Sequence, residues 1–245
     1  MDGRLADAER LGSEAPEMGL REAADEEMIQ SVSAHQLGLR WEQDRLHDLI
    51  QPAQTLADHF PELAAWRVAL TFIHALSGDR DRARRLFRDL ATNRFSGVPR
   101  DSTWLASMAM MSEACVALAE REQASVLTDL LCPFRDRFAH VNMVVWAGSV
   151  AYYLGILATL TDQPDEACRH LEHAFQANER TTARPALART RYALATALVA
   201  RGQDADLDQA RMHVIEAWAM ARRIGLPRVE REATALAGRL GRARP

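Results

Sequence analysis

Four alanines, Ala83, Ala124, Ala167 and Ala210, stand 41, 43 and 43 residues apart, each a few positions after a polar or glycine-containing break. Leu46 extends the series, 37 residues before Ala83. This recurrence constrains the fold more than any other feature, because it marks one structural unit laid down repeatedly. In the clearest copy, Leu154, Gly155 and Ala158 precede a turn at Asp162, and Ala167, Leu171 and Ala174 follow it. Small residues at Gly155 and Ala167 let two helices cross closely, and apolar residues at three- and four-residue steps share one helix face. Weaker copies run through Leu70, His74, Gly78, Ala83, Phe87 and Leu90, and through Met108, Met111, Ser112, Cys115, Ala124 and Leu131. Another runs through Ala195, Leu198, Gly202, Ala210, Val214 and Ala217, with three extra residues in its turn. A degenerate first copy passes through Ala34, Leu37, Trp41, Leu46 and Ile50.

Between the breaks the residues favour helix: Ala, Leu, Glu, Arg and Gln dominate after residue 22, and β-branched runs are nearly absent. The pattern predicts helices over 22–40, 43–58, 61–76, 79–93, 101–119, 121–135, 142–161, 164–179, 184–201, 206–224 and 227–240. The spacing matches a tetratricopeptide (TPR) helix–turn–helix with a period longer than its usual ~34 residues. A single such hairpin cannot bury both apolar faces, so it stacks on its neighbours. The expected fold is therefore all-α, a TPR-like α-solenoid of about five antiparallel helical hairpins in a right-handed superhelix with a concave groove. Residues 1–21, with Gly3, Gly12, Pro16 and Gly19, read as a flexible leader, 22–240 as one repeat domain and 241–245 as a tail.

Bulk properties narrow the function classes. Acidic residues outnumber basic ones, 34 to 30, which gives no general reason to bind nucleic acid. No apolar run reaches the ~20 residues that span a bilayer, and Val141 to Leu160 reads as a buried helix. The N-terminus lacks the apolar core of a signal peptide, so the expected compartment is the cytoplasm. Cys115, Cys132 and Cys168 are odd in number and form no CxxC pair, so they read as buried small hydrophobes rather than disulfide or zinc ligands.

From about Met28 to Leu236 the chain resembles the C-terminal TPR-like region of large bacterial signalling ATPases, which carry a LuxR-type helix-turn-helix or an adenylate/guanylate cyclase domain. The resemblance rests on QDRLHDLI at 43–50, FPELAAWR at 60–67, GDRDRAR at 78–84, VPRDSTWL at 98–105, YLG at 153–155, LEHAFQAN at 171–178 and RPALART at 184–190. It implies a partner-binding or signal-sensing role and identifies no catalytic residues. The sequence has no GxxxxGKS/T phosphate loop and no segment reading as a LuxR-type or cyclase domain, so the expectation is a free-standing relative of that region or a fragment of a larger protein.

Candidate recognition residues lie between the second and third units: Arg100, Asp101, Trp104, Arg135, Arg137, His140, Asn142 and Trp146. Arg and Trp make strong anchors for peptides and carboxylates; the competing reading has both tryptophans filling core and the arginines solvating a loop. His170 and His173 share a helix face, yet Cys168 does not face His170 and no HExxH is present, so they read as surface histidines and no metal site is expected. No GxSxG elbow or paired nucleophile and base appears. The basic runs at 80–85 and 222–223 read as solvated faces, and Met108, Met110 and Met111 as core. The functional expectation is a protein- or peptide-binding regulatory scaffold without cofactors, self-association being open. A small-molecule sensor using the same groove is the alternative, and an enzyme on a helical scaffold the third reading.

Overall fold

Most helix boundaries fall where the sequence breaks place them. The computed structural model describes residues 4–11, 26–141 and 145–242. A short helix α1 at 5–11 is followed by α2 (Glu26–Glu42) and a 3-10 turn (Leu46–Leu49) leading into α3 (Ile50–His59). Next come α4 (Ala64–Leu76), α5 (Arg80–Phe95), α6 (Trp104–Leu118), α7 (Arg121–Leu131) and a 3-10 turn at Cys132–Phe134. Strands β1 (Phe138–Val141) and β2 (Val145–Ser149) precede α8 (Val150–Leu160), α9 (Pro164–Arg180), α10 (Arg184–Arg201), α11 (Asp206–Ile224) and α12 (Pro227–Arg242). The class is all-α with one small antiparallel hairpin, in which Phe138 faces Ser149 and His140 faces Trp146.

The same turn chemistry recurs. Gly78, Ala119, Asp162 and Gly202 all take left-handed φ, at 91°, 62°, 57° and 68°. At the first three, the next backbone N–H donates to a carbonyl five residues back: Asp79 to His74 at 3.1 Å, Glu120 to Cys115 at 3.1 Å and Gln163 to Ala158 at 2.9 Å. Such a closure satisfies a helix-end carbonyl and reverses the chain. Ala83, Ala124, Ala167 and Ala210, which follow these turns, are all fully buried.

Across the turns α4 packs on α5, α6 on α7, α8 on α9 and α10 on α11. Between these pairs α4 meets α6, α6 meets α8, α8 meets α10 and α10 meets α12, while α7 packs on α8, α9 on α10 and α11 on α12. One apolar cluster runs through them from Leu37 to Leu240, with Phe72, Phe87, Met108, Met111 and Tyr153 among its fully buried side chains. Gly155 lets α8 and α9 touch: a Cβ there would lie 2.4 Å from Leu171 Cγ.

The expected helix over 142–161 is corrected, since β2 occupies 145–149 and helix begins only at Val150. Phe138, Val141, Val145 and Trp146 are residues that pleated strands favour. Gly148 takes φ 99°, and a Cβ on it would meet that of Ala186 at 3.1 Å. Ser149 then caps α8, its hydroxyl accepting from Ala151 N at 3.3 Å. The helix expected over 43–58 is likewise divided, by the 3-10 turn before α3. Cys115 and Cys168 are buried as expected, but Cys132 is exposed, because it opens the 3-10 turn that ends α7.

The two ends of the chain meet. Glu9 of α1 accepts hydrogen bonds from Arg40 at 2.6 Å and Gln43 at 2.9 Å, and Leu5 lies on an apolar cluster of Ala188, Ala221, Leu226 and Val229. Past the end of α2, Asp44 pairs with Arg231 of α12 at 2.7 Å. Among the described residues no helix is long and apolar enough to cross a membrane.

Candidate functional site

Helix α6 is apolar on every side and carries a single charged residue, Glu113. Only 4% of Glu113 is exposed. A carboxylate taken out of water needs partners, and neighbouring helices supply them. Tyr152 of α8 donates to Glu113 Oε1 at 3.1 Å, and Arg228 Nη2, in the first turn of α12, lies 3.7 Å from Oε2. Arg228 Nε in turn donates to Glu232 at 3.1 Å, one turn further along α12.

A second charged group stands beside the first. Arg189 of α10 is buried, with Nη1 donating to Glu42 at the end of α2 and Nη2 to the Ala147 carbonyl of β2 at 3.5 Å. Its guanidinium lies over the Trp41 ring, 4.3 Å from the centroid. The hairpin that presents Ala147 is held in turn: Tyr153 donates to the same carbonyl at 2.7 Å, and Asn178 accepts from Ser149 N at 3.3 Å while donating to Thr190 at 3.0 Å.

These groups converge on a cavity of about 350 Å3 between α2, α6, α8, α10 and α12. Helix α2 gives it Trp41 and Glu42, α6 gives Glu113 and Val116, and α8 gives Tyr152, Ile156, Thr159 and Leu160. From α10 come Arg189, Tyr192, Ala193 and Thr196, and from the α12 side Leu226, Arg228, Val229 and Glu232. A mostly apolar hollow with a few fixed polar groups is the usual form of a small-molecule site. Burial pushes the Tyr152 hydroxyl well above its ordinary range, and the Glu113 charge adds to the shift, so at neutral pH it stays protonated as a donor. Burial, the largest influence, opposes the charge on Arg189, but the Glu42 carboxylate and the Tyr153 and Tyr152 hydroxyls together outweigh it and raise the group's pKa. Arg228 is raised in the same way, burial being outweighed by Glu113 and Glu232.

Among the described residues, none of the recognition candidates singled out from sequence lines this cavity. Arg100 is exposed and stacks over Trp104 at 4.5 Å, and Trp104 is itself buried against Phe134 at 5.4 Å. The Asp101 carboxylate accepts from Thr103 N at 2.8 Å and Thr103 Oγ1 at 2.7 Å, fixing the turn before α6. Asp101 also stands at the rim of a second recess, about 420 Å3, between α2, the starts of α4 and α6, and the hairpin. Arg135 Nε lies 3.5 Å from Asp136, and the Arg137 carbonyl accepts from Val150 N at 2.9 Å. His140 and Trp146 face each other across the hairpin with nearly parallel rings 6.4 Å apart, and Phe138 packs on Trp146 at 4.9 Å. Asn142 lies outside the described residues. The structure thus joins Arg100, Asp101 and Trp104 at one place and His140 and Trp146 at another.

His170 is corrected from surface to buried, while His173 is partly exposed, its Nε2 3.1 Å from Asp136. Among the described residues no three His, Cys, Asp or Glu are grouped to hold a metal ion. The cavity residues Glu42, Glu113, Tyr152, Arg189 and Arg228 were missed. One signal was available: Glu113 is the lone charge in an otherwise apolar helix. A scan of family models finds no match for this chain, and no curated protein and no solved structure matches it.

Proposed function

We propose that this chain is a regulatory binding module, a right-handed TPR-like α-solenoid of about five helical hairpins whose inner face holds a small organic ligand. The recurrent left-handed turns and the packing of each helix pair on the next support the solenoid reading. The observation that carries the ligand reading is the cavity of about 350 Å3 on which Glu42, Glu113, Arg189 and Arg228 converge from four helices. That volume lies within the span of small-molecule sites, roughly 300–1,000 Å3, whereas a peptide-binding face calls for an open groove. The resemblance to the TPR-like regions of bacterial signalling ATPases supports a sensing or regulatory role, with the ligand as the signal.

A test exposes the protein to a small-molecule extract, removes unbound material by rapid desalting, and identifies what is retained by mass spectrometry. Ala193 lines the cavity, so Ala193→Phe fills it. A compound retained by the native protein and lost in the variant supports the reading. Equal retention by both, or none by either, overturns it.

A partner-binding scaffold is the second reading, favoured by the exposed Arg100 guanidinium stacked on Trp104. It predicts that replacing Arg100 and Arg135 with Ala weakens partner capture while leaving thermal stability unchanged. A large stability loss, or unchanged capture, counts against it.

A further inference from the structure

The charges facing the cavity do not balance. Three carboxylates, Glu42, Glu113 and Glu232, face two guanidiniums, Arg189 and Arg228. Both cations face carboxylates: Arg189 donates to Glu42 and the Ala147 carbonyl, and Arg228 donates to Glu232 and pairs with Glu113 at 3.7 Å. The acceptors are not exhausted. Among the described residues, the second oxygen of each of the three carboxylates receives no hydrogen bond, and Arg228 stands 3.7 Å from Glu113 Oε2, beyond hydrogen-bond reach. An excess negative charge with open lone pairs, partly shielded from water, is neutralised most favourably by a cation that brings its own N–H donors. An anion entering the same space meets three carboxylates against two guanidiniums, each already facing a carboxylate.

The rest of the wall sets the shape of that cation. Tyr152 and Tyr192 offer aromatic surface, which attracts a cation through the ring quadrupole, and Val116, Ile156 and Leu160 make an apolar bed. On the reading that this cavity is a small-molecule site, we propose that its ligand is an organic cation, a protonated amine carried on a compact apolar body. The ammonium sits among Glu42, Glu113 and Glu232, and the body lies along α8.

Three probes sharing one body and differing in charge test this: phenethylamine, 2-phenylethanol and 3-phenylpropionate, each titrated calorimetrically into the full chain near neutral pH at low salt. The amine is expected to bind at least about tenfold more tightly than the alcohol, and the acid not to bind. Glu113→Gln should weaken the amine about tenfold and leave the alcohol unchanged. Because Glu113 is buried, Glu232→Gln at its partly exposed position serves as the second variant, with a severalfold loss for the amine and an unaltered melting temperature. If the alcohol or the acid binds as tightly as the amine, or Glu232→Gln leaves amine binding intact in a folded protein, the cation assignment fails while the cavity remains a ligand site. If none of the three binds, both the assignment and the small-molecule reading fall.

Discussion

The Arg189 guanidinium lies over the Trp41 ring, 4.3 Å from its centroid, while donating to Glu42, the residue next in sequence. One side chain of α10 thereby holds two consecutive residues of α2 through different chemistry. A guanidinium can contact an aromatic ring while an N–H on its edge donates to a carboxylate, a combination a lysine ammonium reproduces poorly.

Removing one member of this buried pair should therefore cost more than the pair contributes. Arg189→Met is expected to lower unfolding free energy by about 3–5 kcal/mol, since it leaves Glu42 charged and unpaired. Adding Glu42→Gln should recover more than half of that loss. Urea denaturation of the two variants measures it, and a double variant no more stable than Arg189→Met would show that the ion pair is not the source.

The α8–α9 crossing gives a second expectation. A methyl group at Gly155 would sit 2.4 Å from Leu171 Cγ and 2.8 Å from Cδ2. Gly155→Ala should destabilise the fold by about 1–3 kcal/mol through overpacking, despite alanine's better helix propensity. Shortening Leu171 to Ala in the same chain should relieve the clash, so that the two changes together cost less than the sum of their separate effects in a double-mutant cycle.

His170 makes stability depend on pH. Burial first, then the nearby charges of Arg169, Arg135 and His173, lowers its pKa to about 4, with Glu166 3.8 Å away on the same helix. The unfolded chain, with an ordinary imidazole, takes up a proton at higher pH than the folded one. Stability present above the unfolded pKa is therefore lost as pH falls from 6.5 toward about 4. Between pH 7 and 5 the loss from this residue should be on the order of 2 kcal/mol. His170→Gln should flatten that part of the pH–stability curve. An unchanged slope would remove His170 as its cause.

Thiol reactivity should follow burial. Cys115 and Cys168 are buried, and desolvation raises their pKa values to about 12 and about 11. Cys132 is exposed. An aromatic disulfide reagent at mildly alkaline pH should label one thiol per native chain, lost in Cys132→Ser, and all three in denaturant. Rapid labelling of all three in the native state would contradict the packing around α6 and α9.

Helix positions were legible because the signals are local. Gly78, Asp162 and Gly202 announce turns by themselves, and the alanines after them are small where helices must cross. The hairpin was not, since the run from Val141 to Leu160 satisfies both a buried helix and a strand followed by a helix. What decides between them is Gly148 against Ala186, a contact between β2 and α10 that no spacing rule encodes. The cavity was hidden for the same reason. Glu42 and Arg189 are 147 positions apart, and neither stands out in its own helix. Arg100, Trp104 and Trp146 drew notice as part of a polar–aromatic mixture between the second and third units, yet the structure uses Trp104 and Trp146 partly as packing, against Phe134 and Phe138.

The meeting of the chain's ends changes how the molecule comes apart. Stacks held only by neighbour contacts fray from either terminus, one unit at a time. Here the Glu42–Arg189 and Asp44–Arg231 pairs join the chain at and just past the end of α2 to α10 and α12, so parting these helices breaks bonds between segments far apart in sequence. Such ties favour the loss of α2 and α12 together over fraying from one terminus at a time.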